Sequence, residues 1–324
     1  MSELDVIAIG NALVDVLAHS DDSFLASRGI PKGSMQLIDA TAAERLYAEM
    51  GAAVEVSGGS AANTVAGIAS LGGRAGFIGK VHADQLGDIF AHDIRALGVE
   101  FTTAPARNGR PTGRCLILVT PDAQRTMQTF LGVAGEVSPD DVDPSQIKRA
   151  QVTYFEGYLF DAAPAKAAYI KAAQVAHEAG RKVSLSLSDK FCVDRHRAEF
   201  LDLVHGHIDV LFANELEIMA LYEAPDFGAA VSAVRGKCDI AVLTRSEKGA
   251  VIITPHDTLE IPAHPVARVV DTTGAGDLFA AGFLYGYTRG KPLAECGRVA
   301  AICASEIISH FGARPEAKLA ELVR

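Results

Sequence analysis

The chain has 324 residues, 49% hydrophobic and 22% charged, a balance that suits a packed globular protein and is too apolar for a disordered one. Thirty Lys and Arg against forty Asp and Glu give a formal charge of −10. That argues against general nucleic-acid binding, which needs clustered cations on phosphate. No apolar run reaches the ~20 residues of a membrane helix, and the opening Met-Ser-Glu-Leu-Asp lacks a basic signal segment. The expected location is therefore the cytoplasm, with no membrane partner.

In chain order, Asp5–Ile9 reads as a buried strand ending at Gly10. Ala75–Gly79 reads as a second, followed by a helix to about Leu97. Further strands are expected at Gln151–Phe155, Val183–Leu187, Asp209–Phe212 and Asp239–Leu243, with helices such as Ala165–Glu178 and Glu215–Tyr222 between them. Alternating strands and helices predict a mostly parallel sheet covered on both faces. Two stretches break the rhythm, about 12–39 and 99–131. The second alternates like half-exposed strands at Arg114–Val119 and Arg125–Phe130, with a hairpin turn at Pro121-Asp122-Ala123. Both stretches read as a small second layer. The five cysteines form no Cys-x-x-Cys pair and read as reduced thiols, mostly small core residues.

Several signatures are excluded. Gly79-Lys80 is followed by Val81 and position 74 is Arg, so there is no Walker A loop. Gly10-Asn-Ala-Leu-Val-Asp15 lacks Gly-x-Gly-x-x-Gly. Gly58-Gly-Ser-Ala-Ala62 has Ala where a nucleophile elbow needs its final Gly.

Four segments carry chemistry. Asp271-Thr-Thr-Gly-Ala-Gly-Asp277 reads as a glycine turn opening an Ala-rich helix. Gly274 and Gly276 let successive N–H groups converge at a helix N-terminus, a place suited to a transferring phosphoryl group. Asp277 beside such an anion hole reads as a proton acceptor for an attacking hydroxyl, or else as a group that caps its own helix. Ser57-Gly-Gly-Ser-Ala-Ala-Asn63 allows close backbone approach at Gly58 and Gly59, and Asn63 suits sugar hydroxyls; a Ser57 or Ser60 N-cap is the alternative. Asn11 and Asp15 follow the first strand, where open α/β sheets bind ligands, or form an Asx turn there. Asn214 and Glu217 are three apart and suit a hydrated Mg²⁺ and phosphate, or a simple capped helix start.

In this order and spacing the four segments resemble the ribokinase-like (phosphofructokinase-B) family of carbohydrate and nucleoside kinases, across nearly the whole chain. The resemblance implies an α/β fold: a three-layer α/β/α sandwich with a mostly parallel sheet plus a small β-sheet lid. Residues 1–324 would form one kinase domain, with the 12–39 and 99–131 stretches as its lid. It implies Asp277 as general base, the amides of Ala275, Gly276 and Asp277 as anion hole, and Gly274 shaping the turn. Asn11, Asp15, Gly58, Gly59 and Asn63 would hold the acceptor. Asn214 and Glu217 would serve the Mg²⁺–phosphate region, Glu217 through water. ATP would lie along Thr244 to Gly249, where Ser246 stands at a position that is often Gly in the family. Asp271 and Thr273 match the place of a K⁺ site.

Gly10–Ala18 looks closer to adenosine kinases than to ribokinases. Leu13 would then pack on one purine face and Tyr158 on the other, and Arg125 resembles an arginine that reaches the transferring phosphate. The implied activity is phosphoryl transfer from MgATP to a nucleoside, adenosine first. A kinase of free sugars such as ribose, fructose or 2-keto-3-deoxygluconate is the alternative, and a non-catalytic nucleoside or sugar sensor the distant one. The partner is thus a small molecule. Lid edges would be covered within a monomer or paired across a homodimer.

Overall fold

The computed structural model describes residues 3–122 and 124–324; Met1, Ser2 and Ala123, the last in the expected hairpin turn, lie outside the described residues. Among those described, the strands are β1 (Leu4–Ile9), β2 (Leu13–His19), β3 (Met35–Leu37), β4 (Ala53–Gly58), β5 (Ala75–Ile78), β6 (Glu100–Phe101) and β7 (Gly113–Val119). They continue with β8 (Arg125–Phe130), β9 (Ala150–Glu156), β10 (Lys182–Ser186), β11 (Val210–Asn214), β12 (Ile240–Thr244), β13 (Ala250–Ile253) and β14 (Thr258–Ile261).

Nine strands make one sheet in the order β14-β13-β12-β11-β10-β9-β1-β5-β6. Its pairs from β12 through to β6 are parallel, and β13 and β14 add an antiparallel edge. Period 2 decides which face each residue covers. Val6 and Ala8 of β1 join one core cluster, Ile7 and Ile9 the other. Val210 and Phe212 of β11 separate from Leu211 and Ala213 in the same way. The helices Ser60–Ser70, Ala275–Tyr287 and Leu293–Ile307 cover the first face, and Ala163–Glu178, Lys190–His207 and Glu215–Tyr222 the second. The fold is therefore a three-layer α/β/α sandwich, with strands buried on both sides reading as continuous apolar runs.

The remaining five strands form a small sheet, β3-β8-β7-β2-β4. Two of its members gave no clear signal in the sequence. β3 has three residues, and β4 exposes Val54 by 64%, so its alternation lacks an apolar face. The 99–131 stretch divides between the sheets: β6 hydrogen-bonds to β5 in the large sheet, whereas β7 and β8 belong to the small one. All five cysteines are free, and Cys296 and Cys303 lie in the core as small apolar residues.

The chain crosses from the large sheet to the small one between β1 and β2, and returns between β4 and the Ser60–Ser70 helix. Asn11 lies at the first crossing and Gly58–Gly59 at the second. Gly67 has no room for a Cβ against Leu278 (2.6 Å) and Ala281 (2.8 Å), so the Ser60–Ser70 and Ala275–Tyr287 helices pack closely. That contact brings the starts of both helices beside the crossings.

Candidate active site

The Ala275–Tyr287 helix begins at Gly274, whose φ of 79° is left-handed, and no side chain caps it. The first-turn amides of such a helix lack intrahelical partners. Among the described residues nothing lies within 4 Å of where a Gly276 Cβ would stand, so the turn is open there. Asp277 does not cap its own helix. Its carboxylate reaches the neighbouring one: Ser60 Oγ donates to Oδ1 at 2.6 Å and Asn63 Nδ2 donates to Oδ2 at 2.9 Å. Desolvation in the cleft raises the Asp277 pKa, against the hydrogen bonds from Ser60 and Asn63 and the charge of Arg314. The Ser60–Ser70 helix likewise has no serine cap; its N-cap is Gly59 at φ 97°, whose hydrogen faces the Asn11 carbonyl where no Cβ fits.

Asn11 makes no Asx turn. Its N–H and Nδ2 both donate to Glu156 Oε1, at 2.9 and 2.7 Å, and Ala61 N–H donates to Glu156 Oε2 at 2.7 Å. Glu156 ends β9 and is fully buried; desolvation pushes its pKa up to about 7. This arrangement turns the Asn11 amide so that Oδ1 has no partner, and Asn63 Oδ1 is also buried and unpartnered. Buried oxygens without donors are costly unless a ligand supplies them. Asp15 stands on β2 against Gly58, which has no space for a Cβ there. Desolvation raises the Asp15 pKa to about 6, opposed by Arg314 and Arg125.

Arg125 opens β8, is buried, and pairs with Asp271, while its guanidinium lies over the Phe311 ring at 4.6 Å. Asp271 also accepts from Thr273 N–H (3.0 Å) and Gly312 N–H (3.1 Å). The small sheet is thus tied to the turn that opens the Ala275–Tyr287 helix. These three donors leave the Asp271 carboxylate room for a further partner, so a K⁺ ion at Asp271 and Thr273 would share the carboxylate with them.

Asn214 and Glu217 form a reciprocal capping box: Glu217 N–H donates to Asn214 Oδ1 at 2.9 Å, and Asn214 N–H to Glu217 Oε2 at 2.9 Å. Burial pushes the Glu217 pKa up to about 7. The capping alternative is therefore realised. Both Glu217 oxygens already accept from Asn214, so a Mg²⁺ beside it would be held only through its waters. Thr244 ends β12, and Ser246 follows at φ 51°, the conformation that explains a glycine preference there. Gly249, at φ 82°, has the Ile261 carbonyl where a Cβ would stand. Tyr158 packs on the second core cluster, and its pKa is raised by burial and by the charges of Asp189, Asp277 and Glu217. Leu13 opens β2, pairs with Gly58 and Gly113, and is buried.

Two residues escaped the sequence reading, Glu156 and Arg314, and Ser60 entered it as a possible helix cap. Glu156 sits inside an apolar strand, and a carboxylate there is the signal that was available. Ser60 sits within the glycine segment, between Gly59 and Asn63. Arg314 lies near the C-terminus with no motif around it, yet donates to the Ser57 and Ala62 carbonyls.

The description "pfkB family carbohydrate kinase" matches residues 33–319. The chain belongs to that family. It is therefore a phosphotransferase acting on a hydroxyl acceptor. The crystal structure of adenosine kinase from Sinorhizobium meliloti is 50% identical and superposes with a TM-score of 0.94, covering 99% of this chain and 98% of that one. A structure described as a probable sugar kinase protein from Rhizobium etli CFN 42 is 49% identical, with the same TM-score and the same coverage. The adenosine kinase of Saccharomyces cerevisiae is 27% identical over 89% of this chain and 90% of its own length. No described helix is long and apolar enough to cross a membrane.

Proposed function

We propose that this family member transfers the γ-phosphoryl group of MgATP to the primary hydroxyl of a nucleoside, with adenosine the preferred acceptor. The likeness at 50% identity to the Sinorhizobium meliloti adenosine kinase carries the acceptor assignment. The placement of Asp277 beside an open, uncapped helix start carries the chemistry.

In this reading the acceptor's sugar lies between the two sheets. Asp15 and the unpartnered Oδ1 atoms of Asn11 and Asn63 accept from its hydroxyls. Leu13 and Tyr158 flank the base. Asp277 takes the proton of the attacking hydroxyl as its oxygen bonds to phosphorus and the bond to ADP breaks. The amides of Ala275, Gly276 and Asp277, on the turn shaped by Gly274, stabilise the charge on the transferring group, where loss of one such donor typically costs about 2.7–4 kcal/mol. Arg125 adds positive charge from the lid, which covers the site and excludes water. MgATP supplies the phosphoryl group; Thr244, Ser246 and Gly249 would border its nucleotide, and Asn214 and Glu217 its hydrated metal. Residues 1–324 act as one domain, with β2, β4, β7 and β8 at the heart of the lid.

The probable sugar kinase at 49% identity favours a second reading, in which the acceptor is a free sugar and Leu13 and Tyr158 only pack. MgATP-dependent ADP release across adenosine, guanosine, inosine, cytidine, ribose, fructose and 2-keto-3-deoxygluconate separates the two. A kcat/KM for adenosine at least ~10²-fold above every free sugar is expected. Preference for a free sugar overturns the nucleoside assignment. Silence on all acceptors with ATP still bound favours a sensor.

A further inference from the structure

After the Leu293–Ile307 helix the chain turns back across the cleft and places Arg314 beside Ser57. Its guanidinium donates to Ser57 O from Nε (3.0 Å) and Nη2 (2.8 Å), to Ser57 Oγ from Nη2 (3.0 Å) and to Ala62 O from Nη1 (2.6 Å). Ser57 belongs to the small sheet, and Ala62 to the first turn of the Ser60–Ser70 helix. One side chain therefore holds both sides of the Gly58–Gly59 crossing. On the far side of Ser57, Asp93 Oδ2 accepts from its N–H at 2.8 Å. The helical turn so held carries Ser60 and Asn63, the two donors to Asp277. A lysine has no fork to span both carbonyls.

The charge matters as well. Asp277 is faced by Asp15 from β2, Tyr154 and Glu156 from β9, Tyr158 just after β9, and Glu217 from the Glu215–Tyr222 helix. Asp15 is faced by Asp277, by Arg125 from β8 and by Cys115 from β7. Arg314 is the cation whose field acts on both Asp15 and Asp277. Burial lowers its own pKa only to about 10, so it stays charged at neutral pH.

We propose that Arg314 is a positioning residue for phosphoryl transfer, clamping the Gly58–Gly59 crossing and supplying the charge that keeps Asp277 ionised in a carboxylate-rich cleft. This rests on Asp277 as the base, so the test includes a readout that needs neither acceptor nor ATP. In full-length protein labelled with [¹³Cγ]aspartate, Asp277 is assigned by comparison with D277N and titrated in wild type, R314Q and R314K. In R314Q the Asp277 titration is expected to rise by about one pH unit, and the acid limb of kcat/KM to rise with it. R314K is expected to keep both near wild type while raising the acceptor KM, because the charge remains and the fork is lost. A folded R314Q with both titration and limb unmoved overturns the proposal. A shifted titration with an unmoved limb removes Asp277 as the base and the positioning role with it, which locates the failure in the earlier assignment. Loss of cooperative melting in both variants would make Arg314 a determinant of the fold, and would equally overturn it.

Discussion

Ser60 and Asp277 are 217 positions apart, yet Ser60 Oγ donates to Asp277 Oδ1 at 2.6 Å. Neither residue acts on its own helix start. Each lies in the first turn of an uncapped helix, and the close packing at Gly67 sets the two turns side by side. Asn63 takes the other carboxylate oxygen. Asp277 is thus fixed in rotation before any acceptor arrives, which is the geometry a base needs to meet a hydroxyl along a defined line.

Replacing Asp277 by Asn keeps the shape and removes the proton acceptor. Base assistance is typically worth ~10²–10⁴-fold, so kcat for the preferred acceptor should fall by at least about 10²-fold. The acceptor KM should stay within a few-fold, because Asn11, Asp15 and Asn63 still hold the ligand. Steady-state kinetics on folded D277N checks this, and near-wild-type turnover would reject the assignment.

The cleft also predicts a pH profile. Asp15 is raised to about 6, Glu156 and Glu217 to about 7, and Asp277 above its ordinary value, all chiefly by desolvation. A base must be ionised to act, so a raised pKa means activity is present at higher pH and lost as pH falls through it. The acid limb of kcat/KM is expected above the ordinary aspartate value of about 3.9. In Ser60→Ala the limb should move higher still, since a hydrogen bond to the charged form is gone. An acid limb near the ordinary value in wild type would contradict the burial of this group.

The parallel strands from β12 to β5 were legible because they are buried on both faces, so apolar runs such as Val210–Ala213 mark them directly, whereas β13 and the half-exposed β14 went unread and β6 fell in the stretch assigned to the lid. The glycine turn ending at Asp277 was legible because few other structures need that spacing. Glu156 was harder to read, since its partners Asn11 and Ala61 are 145 and 95 positions away and become neighbours only through the β1–β9 pairing. Arg314 gave less signal still. Its bonds go to carbonyls, which every residue has, so no side-chain pattern records them. β4 was missed because its alternation has no apolar face, Val54 being 64% exposed.

Glu156→Gln tests whether that buried carboxylate organises the acceptor site. Glu156 accepts three N–H bonds. The amide of Gln presents its own N–H groups to at least one of those donors, and an unsatisfied buried group costs about 1–3 kcal/mol. A lower melting temperature is expected, by several degrees. With the Asn11 amide no longer fixed, the acceptor KM should rise more than kcat falls. Unchanged melting and unchanged KM together would mean that Glu156 only fills space.

Leu13→Ala and Tyr158→Ala decide between nucleoside and free sugar without reference to any relative. Leu13 opens β2 on the small-sheet side, and the half-buried Tyr158 lies just after β9 on the large-sheet side. If a purine lies between them, each truncation removes contact with the base, at about 1–3 kcal/mol per stacked or apolar face. KM for adenosine should then rise roughly 5- to 100-fold at 1.4 kcal/mol per tenfold. Turnover of a free sugar, which has no base to lose, should change little in the same variants. Thermal melts separate this from general loosening, because Tyr158 also packs on the second core cluster. Equal losses toward adenosine and a free sugar would show that the two residues only support the hinge between lid and sheet, and would leave the sugar-kinase reading the stronger one.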